Sequence, residues 1–170
     1  MRNPAAESVL RVYQEPSQRL TLYRICWREA CETIWHGVDA EEKGGRWNSV
    51  GTCVVYASSS RALAALEQLV HLPSPREFGD FVLGAVTVEC EHVRHVDPGS
   101  LPAGWNEAEW PEELRRVGDE FVAEGKELAL AVPSAVLEDE WNYLLNPRHP
   151  GFRGLEFSRA REFRFDPRLK

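Results

Sequence analysis

The sequence has no apolar run long enough to cross a bilayer, and its opening residues, MRNPAAESVL, carry no signal-peptide core. Cytoplasmic residence is therefore the expectation. Basic charge is not in excess: 20 Lys and Arg stand against 27 Asp and Glu, a net charge of −7. That balance excludes a protein whose main work is gripping nucleic acid through its phosphates, although a local arginine cluster can still hold a small anion. The four cysteines, Cys26, Cys31, Cys53 and Cys90, form no CxxC pair. Cys53 and Cys90 lie in apolar runs, where a thiol serves as a small hydrophobe, and no structural disulfide is expected. Internal repeats and low-complexity segments are missing as well.

Several chemical signatures are also lacking. GGRWNSVG (44–51) is neither GxxxxGK nor GxGxxG. Ser134 follows Val132-Pro133 without a GxSxG elbow or a spaced histidine–acid pair, so a ligand or backbone hydrogen bond suits it better than nucleophilic attack. Cys90, His92 and His95 match no common zinc spacing, and a strand end would aim them in conflicting directions, so no metal is expected.

What remains is a chain of 170 residues, 43% apolar with six tryptophans, which suits one folded domain. Residues 1–19 read as an N-terminal arm or leading helix, and 20–170 as the domain. Leu20–Cys26 alternates as a strand, with Leu20, Leu22 and Arg24 on one face and Thr21, Tyr23 and Ile25 on the other. Further strands are expected over 52–57, 81–89, 93–96, 128–132 and 162–165. Helices are expected over 59–72, ending at Pro73, and over 112–124, with Pro111 in its first turn. Residues 97–111 read as loop, and LLNPRHP (144–150) as a double turn. Strands and helices without regular βαβ repetition predict an α+β fold with a mixed or largely antiparallel sheet.

The richest passage runs from Gly44 to Glu67. Gly44-Gly45 lets backbone approach a ligand closely, and Arg46 offers a planar five-donor fork suited to phosphate. Tyr56 ends an apolar strand, where its ring either stacks on a flat heterocycle or joins the core. Ser59 or Ser60 caps a helix carrying Leu63, Leu66 and Val70 on one face, with Glu67 at the stripe's edge. A carboxylate bordering a core needs a partner or a task. Arg24, on a face with two leucines, needs either an ion-pair partner or a cleft. His149 is either a turn residue or part of a cleft wall, and His36 and His71 have no distinctive neighbours.

YRI (23–25), GGRWNSVG (44–51), VVYASSSRALAALE (54–67), LPAGW (101–105), VPSAVLEDEWNYLLNPRHPGF (132–152) and FRFDPRL (163–169) together resemble the RES-domain family, toxins of bacterial toxin–antitoxin systems. The resemblance spans 20–169. Trp35–Lys43 is less typical, since shorter small-residue stretches are usual there.

The resemblance implies an ADP-ribosyltransferase-like fold, with a split mixed sheet and flanking helices around an NAD cleft. It implies a toxin of a type II system that breaks the nicotinamide–ribose bond of NAD⁺ by hydrolysis or phosphorolysis, with inorganic phosphate as a possible co-substrate and no further cofactor. Transfer of ADP-ribose to a protein is the alternative from the same cleft, and a non-catalytic nucleotide- or partner-binding domain is the alternative of another class. The family's polar residues carry over to Arg24 or Arg46, Glu67 and Ser134, with Tyr56 beside them. On that reading Arg24, Gly45, Arg46, Tyr56 and Ser134 bind NAD⁺, and Arg46, Tyr56, Glu67 and Ser134 take part in catalysis. The implied partner is an Xre-type DNA-binding antitoxin that covers the cleft.

Overall fold

A computed structural model describes residues 19–72 and 79–169. The arm expected over 1–19 lies outside the described residues except for Arg19, which opens the first strand. Strands β1 (Arg19–Trp27) and β3 (Phe81–Glu89) pair antiparallel along their whole length, from Arg19↔Glu89 to Trp27↔Phe81. The remaining strands are β2 (Val55–Ser58), β4 (Val93–His95), β5 (Ala129–Pro133), β6 (Trp141–Leu145), β7 (Glu156–Phe157) and β8 (Arg161–Phe163). They form a sheet in the order β4-β5-β6-β2-β1-β3-β7, with β8 also on β3. Only β4–β5 is parallel, so the sheet is mixed and the fold α+β, as expected.

The sheet nearly splits in its middle. β1 and β2 meet at a single pairing, Tyr23↔Ser58, whereas β2 pairs with β6 at four positions from Val55↔Leu145 to Ser58↔Asn142. Directly paired residues share a face, and so do residues two apart on a strand. Tyr23, Ile25, Tyr56, Ser58, Asn142 and Leu144 therefore lie on one face. At one end of that face Leu130, Leu144, Trp47 and Val54 pack with Leu114 and Phe121. The last of these belongs to helix α3 (Arg115–Glu124). At the other end Ile25, Phe81 and Leu83 pack with Phe165 and with Ala64 of helix α2 (Arg61–Leu69). The opposite face carries Leu22, Val55, Ala57, Val86 and Leu145 around Trp35. Each large side chain so buried contributes about 1.5–3 kcal/mol. Two separate packing centres on one face leave a groove between them.

The structure corrects several boundaries. β2 starts at Val55 rather than Thr52, because Thr52 is tied into the preceding loop: its N–H donates to Ser49 O at 3.1 Å and its carbonyl accepts from Asn48 Nδ2 at 3.0 Å. Leu144 and Leu145 belong to β6 and not to a turn; the chain turns at Asn146, whose Oδ1 accepts from Arg148 N at 2.9 Å. β6 escapes a period-two reading because Asn142 through Leu145 are all buried. A short helix α1 (Val38–Lys43) and the small strand β7 were not expected. The helix expected over 112–124 begins as a 3₁₀ turn, Glu112–Leu114, with Pro111 extended just ahead of it. Val70, assigned to a buried stripe, is 58% exposed, because that edge of α2 borders the groove instead of the core. Among the described residues no helix is long and apolar enough to cross a membrane.

Candidate active site

The groove is a cleft of about 500 Å³, within the size range of small-molecule sites. Its lining includes Arg24, Gly45, Arg46, Tyr56 and Glu67, and a smaller cavity of about 230 Å³ beside it shares Arg24, Tyr56 and Glu67. Five residues from four separate stretches of the sequence thus meet on one concave surface. The chain is acidic overall, yet this wall carries Arg24, Lys43, Arg46 and Arg115 against Asp39 and Glu67. The cleft is therefore locally cationic and suited to an anion.

The GGRWN loop builds one side. Gly44 turns the chain at φ +69°. Gly45 is required by contact: a Cβ there would stand 2.6 Å from the Tyr56 hydroxyl. That hydroxyl donates to Asn48 Oδ1 at 2.7 Å and accepts from Trp47 N at 3.2 Å. Asn48, fully buried, spends its Nδ2 on the carbonyls of Ala40, Ser49 and Thr52. This one amide staples the loop to α1 and fixes the tyrosine ring against the cleft. Burial raises the Tyr56 pKa well above its ordinary value, with the Trp47 hydrogen bond opposing, so the phenol stays protonated.

Arg46 stacks its guanidinium over the Trp110 ring, 4.4 Å from the centroid. Its Nη1 donates to the carbonyls of Trp105 and Glu107. Among the described residues Nη2 and Nε make no hydrogen bond, which leaves three N–H donors of the fork uncommitted. Arg24 does not form the ion pair that one reading of its strand face required. Its Nη1 crosses the split in the sheet to donate to the Tyr56 carbonyl at 2.9 Å, and its Nε is buried without a partner. Burial lowers the pKa of both arginines, Arg24 being partly compensated by Cys26 and Asp39 and Arg46 by Glu67 and Tyr56. Arginine starts so high that both remain cations.

Glu67 comes from α2, whose N-cap is Ser60: its side chain accepts from Leu63 N at 3.1 Å. The Glu67 Oε1 accepts two hydrogen bonds, from Ser134 Oγ at 2.9 Å and from Asn142 Nδ2. Oε2 makes none among the described residues. Ser134 does not line the cleft. It sits behind the carboxylate, 3% exposed, and its Oγ also accepts from the N–H groups of Val136 and Leu137, both at 3.1 Å. That hydroxyl is fully used.

Sequence reasoning missed Asn142, Trp110 and Arg115, all on the cleft wall. The only signal for Asn142 was its place in NYLLNPRHP, and a strand assignment there would have set it beside Ser58. Cys90–His92 forms a 3₁₀ turn leading into β4, where the His95 ring packs edge-on against Trp141. Among the described residues no group of three His, Cys, Asp or Glu side chains is placed to hold a metal ion. His149 is a turn residue; its Nδ1 accepts from Gly151 N at 3.1 Å.

The family model for the RES domain matches residues 21–166. A protein named Toxin Res, from Yersinia enterocolitica serotype O:8 / biotype 1B, is 37% identical over 89% of this chain and 100% of its own length. A protein named Prs ADP-ribosylating toxin, from Sphingobium sp. strain YBL2, is 38% identical over 78% of this chain and 84% of its own length. The toxin–antitoxin complex MbcT–MbcA of M. tuberculosis contains a chain of the same fold, with a TM-score of 0.67 at 16% identity, covering 89% of this chain and 86% of that one. With the family match spanning nearly all of the described fold and a relative aligned over its whole length, this chain belongs to the RES-domain family of toxins.

Proposed function

We infer that this protein is the toxin of a toxin–antitoxin pair and that its cleft cleaves the nicotinamide–ribose bond of NAD⁺. The observation that carries this reading is Glu67. Its carboxylate is held through Oε1 while Oε2 is left uncommitted, on the same wall as two guanidinium groups and a fixed tyrosine ring. Nicotinamide departs as a neutral base from a cationic precursor, so little acid catalysis is needed. What needs stabilising is positive charge growing on the ribose as it becomes oxocarbenium-like. Glu67 Oε2 supplies negative charge for that, or orients the attacking group. Arg24 and the free donors of Arg46 hold the diphosphate, and the Tyr56 ring stacks on nicotinamide. Ser134 acts from behind, fixing Glu67 rather than touching the sugar. Water or inorganic phosphate takes the ribose carbon. An antitoxin that covers the cleft keeps the protein silent, in line with the complex in which its structural neighbour was solved.

The test is nicotinamide release by the purified protein. Wild type turns NAD⁺ over, and Glu67→Gln loses about 10²–10³-fold in kcat with an unchanged circular dichroism spectrum. Normal turnover by that variant rejects the role of Glu67; no turnover by wild type rejects the activity. Added phosphate that diverts product from ADP-ribose to ADP-ribose-1″-phosphate identifies the acceptor. A second reading, transfer of ADP-ribose to a protein, draws on the name of the 38%-identical Sphingobium relative. Label from NAD⁺ retained on a protein band in lysate favours it over cleavage to small products.

A further inference from the structure

The Glu67 carboxylate accepts hydrogen bonds only, so the group that Asn142 turns toward it must be the amide NH₂. Asn142 Oδ1 then points the other way, where the Ser58 hydroxyl donates to it at 2.7 Å. Ser58 and Asn142 are directly paired across β2 and β6, so the backbone register places them side by side on the face that carries the cleft. Ser58 and Asn142 are 4% and 7% exposed, and little water reaches this link to substitute for a lost donor. Beside it, Ser59 Oγ donates to Glu140 Oε2 at 2.7 Å and Ser59 N to Trp141 O at 3.0 Å, which locks the same two strand ends together.

From this geometry we propose that Ser58, which does not touch Glu67, is a positioning residue for it, acting through the Asn142 amide. The carboxylate sets which end of the amide faces it, and the hydroxyl anchors the opposite end. Without it, the carbonyl end is a buried acceptor with no donor, and the amide loses the second anchor that holds its NH₂ in place against the carboxylate. Ser134 then remains the one firmly seated donor to Oε1, and the free oxygen no longer has one defined direction. The relay is a chain of four side chains, Ser58, Asn142, Glu67 and Ser134, drawn from two strands, a helix end and the turn that follows β5. It rests on the reading of Glu67 as the residue facing the reacting sugar.

The experiment is a double-mutant cycle on nicotinamide release, run beside side-chain amide NMR of Asn142. Ser58→Ala is expected to lower kcat about 10-fold with KM changed less than about 2-fold, and Asn142→Ala about 100-fold. In the Asn142→Ala background, Ser58→Ala is expected to cost nothing further, because its only route to Glu67 is already gone. Ser58→Thr, which keeps the hydroxyl, restores at least half of wild-type kcat. The Asn142 NH₂ resonances are expected downfield in the wild type and displaced toward free-amide positions in Ser58→Ala. Additive losses in the cycle, or Asn142 resonances unmoved by Ser58→Ala, overturn the relay. Should wild type release no nicotinamide, the cleavage reading fails by itself, and the NMR arm still decides the relay.

Discussion

Gly118 sits in α3 with its N–H donating to the Trp47 carbonyl at 3.0 Å, and a Cβ added there would lie 2.1 Å from that oxygen. Two effects of Gly118→Ala oppose one another. Alanine favours a helix interior over glycine by about 1 kcal/mol, so propensity alone predicts a more stable protein. The contact requires the Trp47 carbonyl to retreat by about 1 Å, since a carbon and an oxygen pack no closer than about 3.2 Å. The oxygen is backbone, in a loop held by Asn48 and by buried Trp47, so it cannot swing aside as a flexible side chain would. Overpacking of this kind costs about 1–3 kcal/mol and the broken hydrogen bond about 1 kcal/mol more. The net expectation is destabilisation of about 1–3 kcal/mol. Because Trp47 lies between Arg46 and Asn48, kcat/KM for NAD⁺ should fall together with stability. Urea unfolding followed by circular dichroism reads the first effect, and Gly154→Ala, where nothing stands within 4 Å of the new Cβ, is the control. A Gly118→Ala protein as stable as wild type, or more so, refutes the claim that α3 braces the cleft loop through this contact.

Tyr56→Phe keeps the ring but removes a hydroxyl that bonds both Asn48 and Trp47. Stability should fall by about 2 kcal/mol in urea titrations, because a buried amide oxygen and a backbone N–H lose their partner. The activity loss should be smaller than that of Tyr56→Ala. Gly45→Ala drives a methyl against the same hydroxyl, so KM for NAD⁺ should rise at least about 10-fold while the secondary structure persists by circular dichroism. Burial alone would raise the Asp119 pKa, but hydrogen bonds from Ser49 and Thr52 outweigh it and hold the carboxyl below its ordinary 3.8. A depressed folded-state value means the stabilisation is fully present above that ordinary value and is lost as pH falls through the depressed one. Asp119→Asn should therefore be about 1 kcal/mol less stable than wild type at pH 7, with the gap between their urea midpoints closing in acid. A gap that holds constant with pH would remove the charge from the explanation.

The elements with strong local signals were readable before any coordinates. Phe81–Glu89 is apolar and β-branched enough to read as a strand, and Ser60 caps a helix as its hydroxyl chemistry predicts. Arg46, Tyr56 and Glu67 stood out because polar groups of those types in one loop–strand–helix passage are costly without a shared purpose. What could not be read was pairing across the chain. β6 carries no alternation, since both its faces are covered, and with β6 unread Asn142 had no visible neighbour. Trp110 and Trp105 meet Arg46 only because residues 97–111 fold back over the loop, a closure that no local spacing encodes. Ser134 entered the candidate site through the family resemblance, and its place behind the carboxylate depends on a turn in which its Oγ receives two backbone N–H groups. The single-point contact between β1 and β2, which lets Arg24 reach across the sheet, likewise follows from register and not from composition.

The central claim is that one cleft grips a dinucleotide diphosphate with arginine while a carboxylate faces the sugar that loses its base. The most direct measurement is a crystal structure of the Glu67→Gln protein with intact NAD⁺ bound. The account predicts diphosphate oxygens within hydrogen-bond distance of Arg24 and Arg46, nicotinamide against the Tyr56 ring, and its ribose beside position 67. A dinucleotide bound elsewhere, or lying in the cleft with its nicotinamide ribose turned away from position 67, would contradict it.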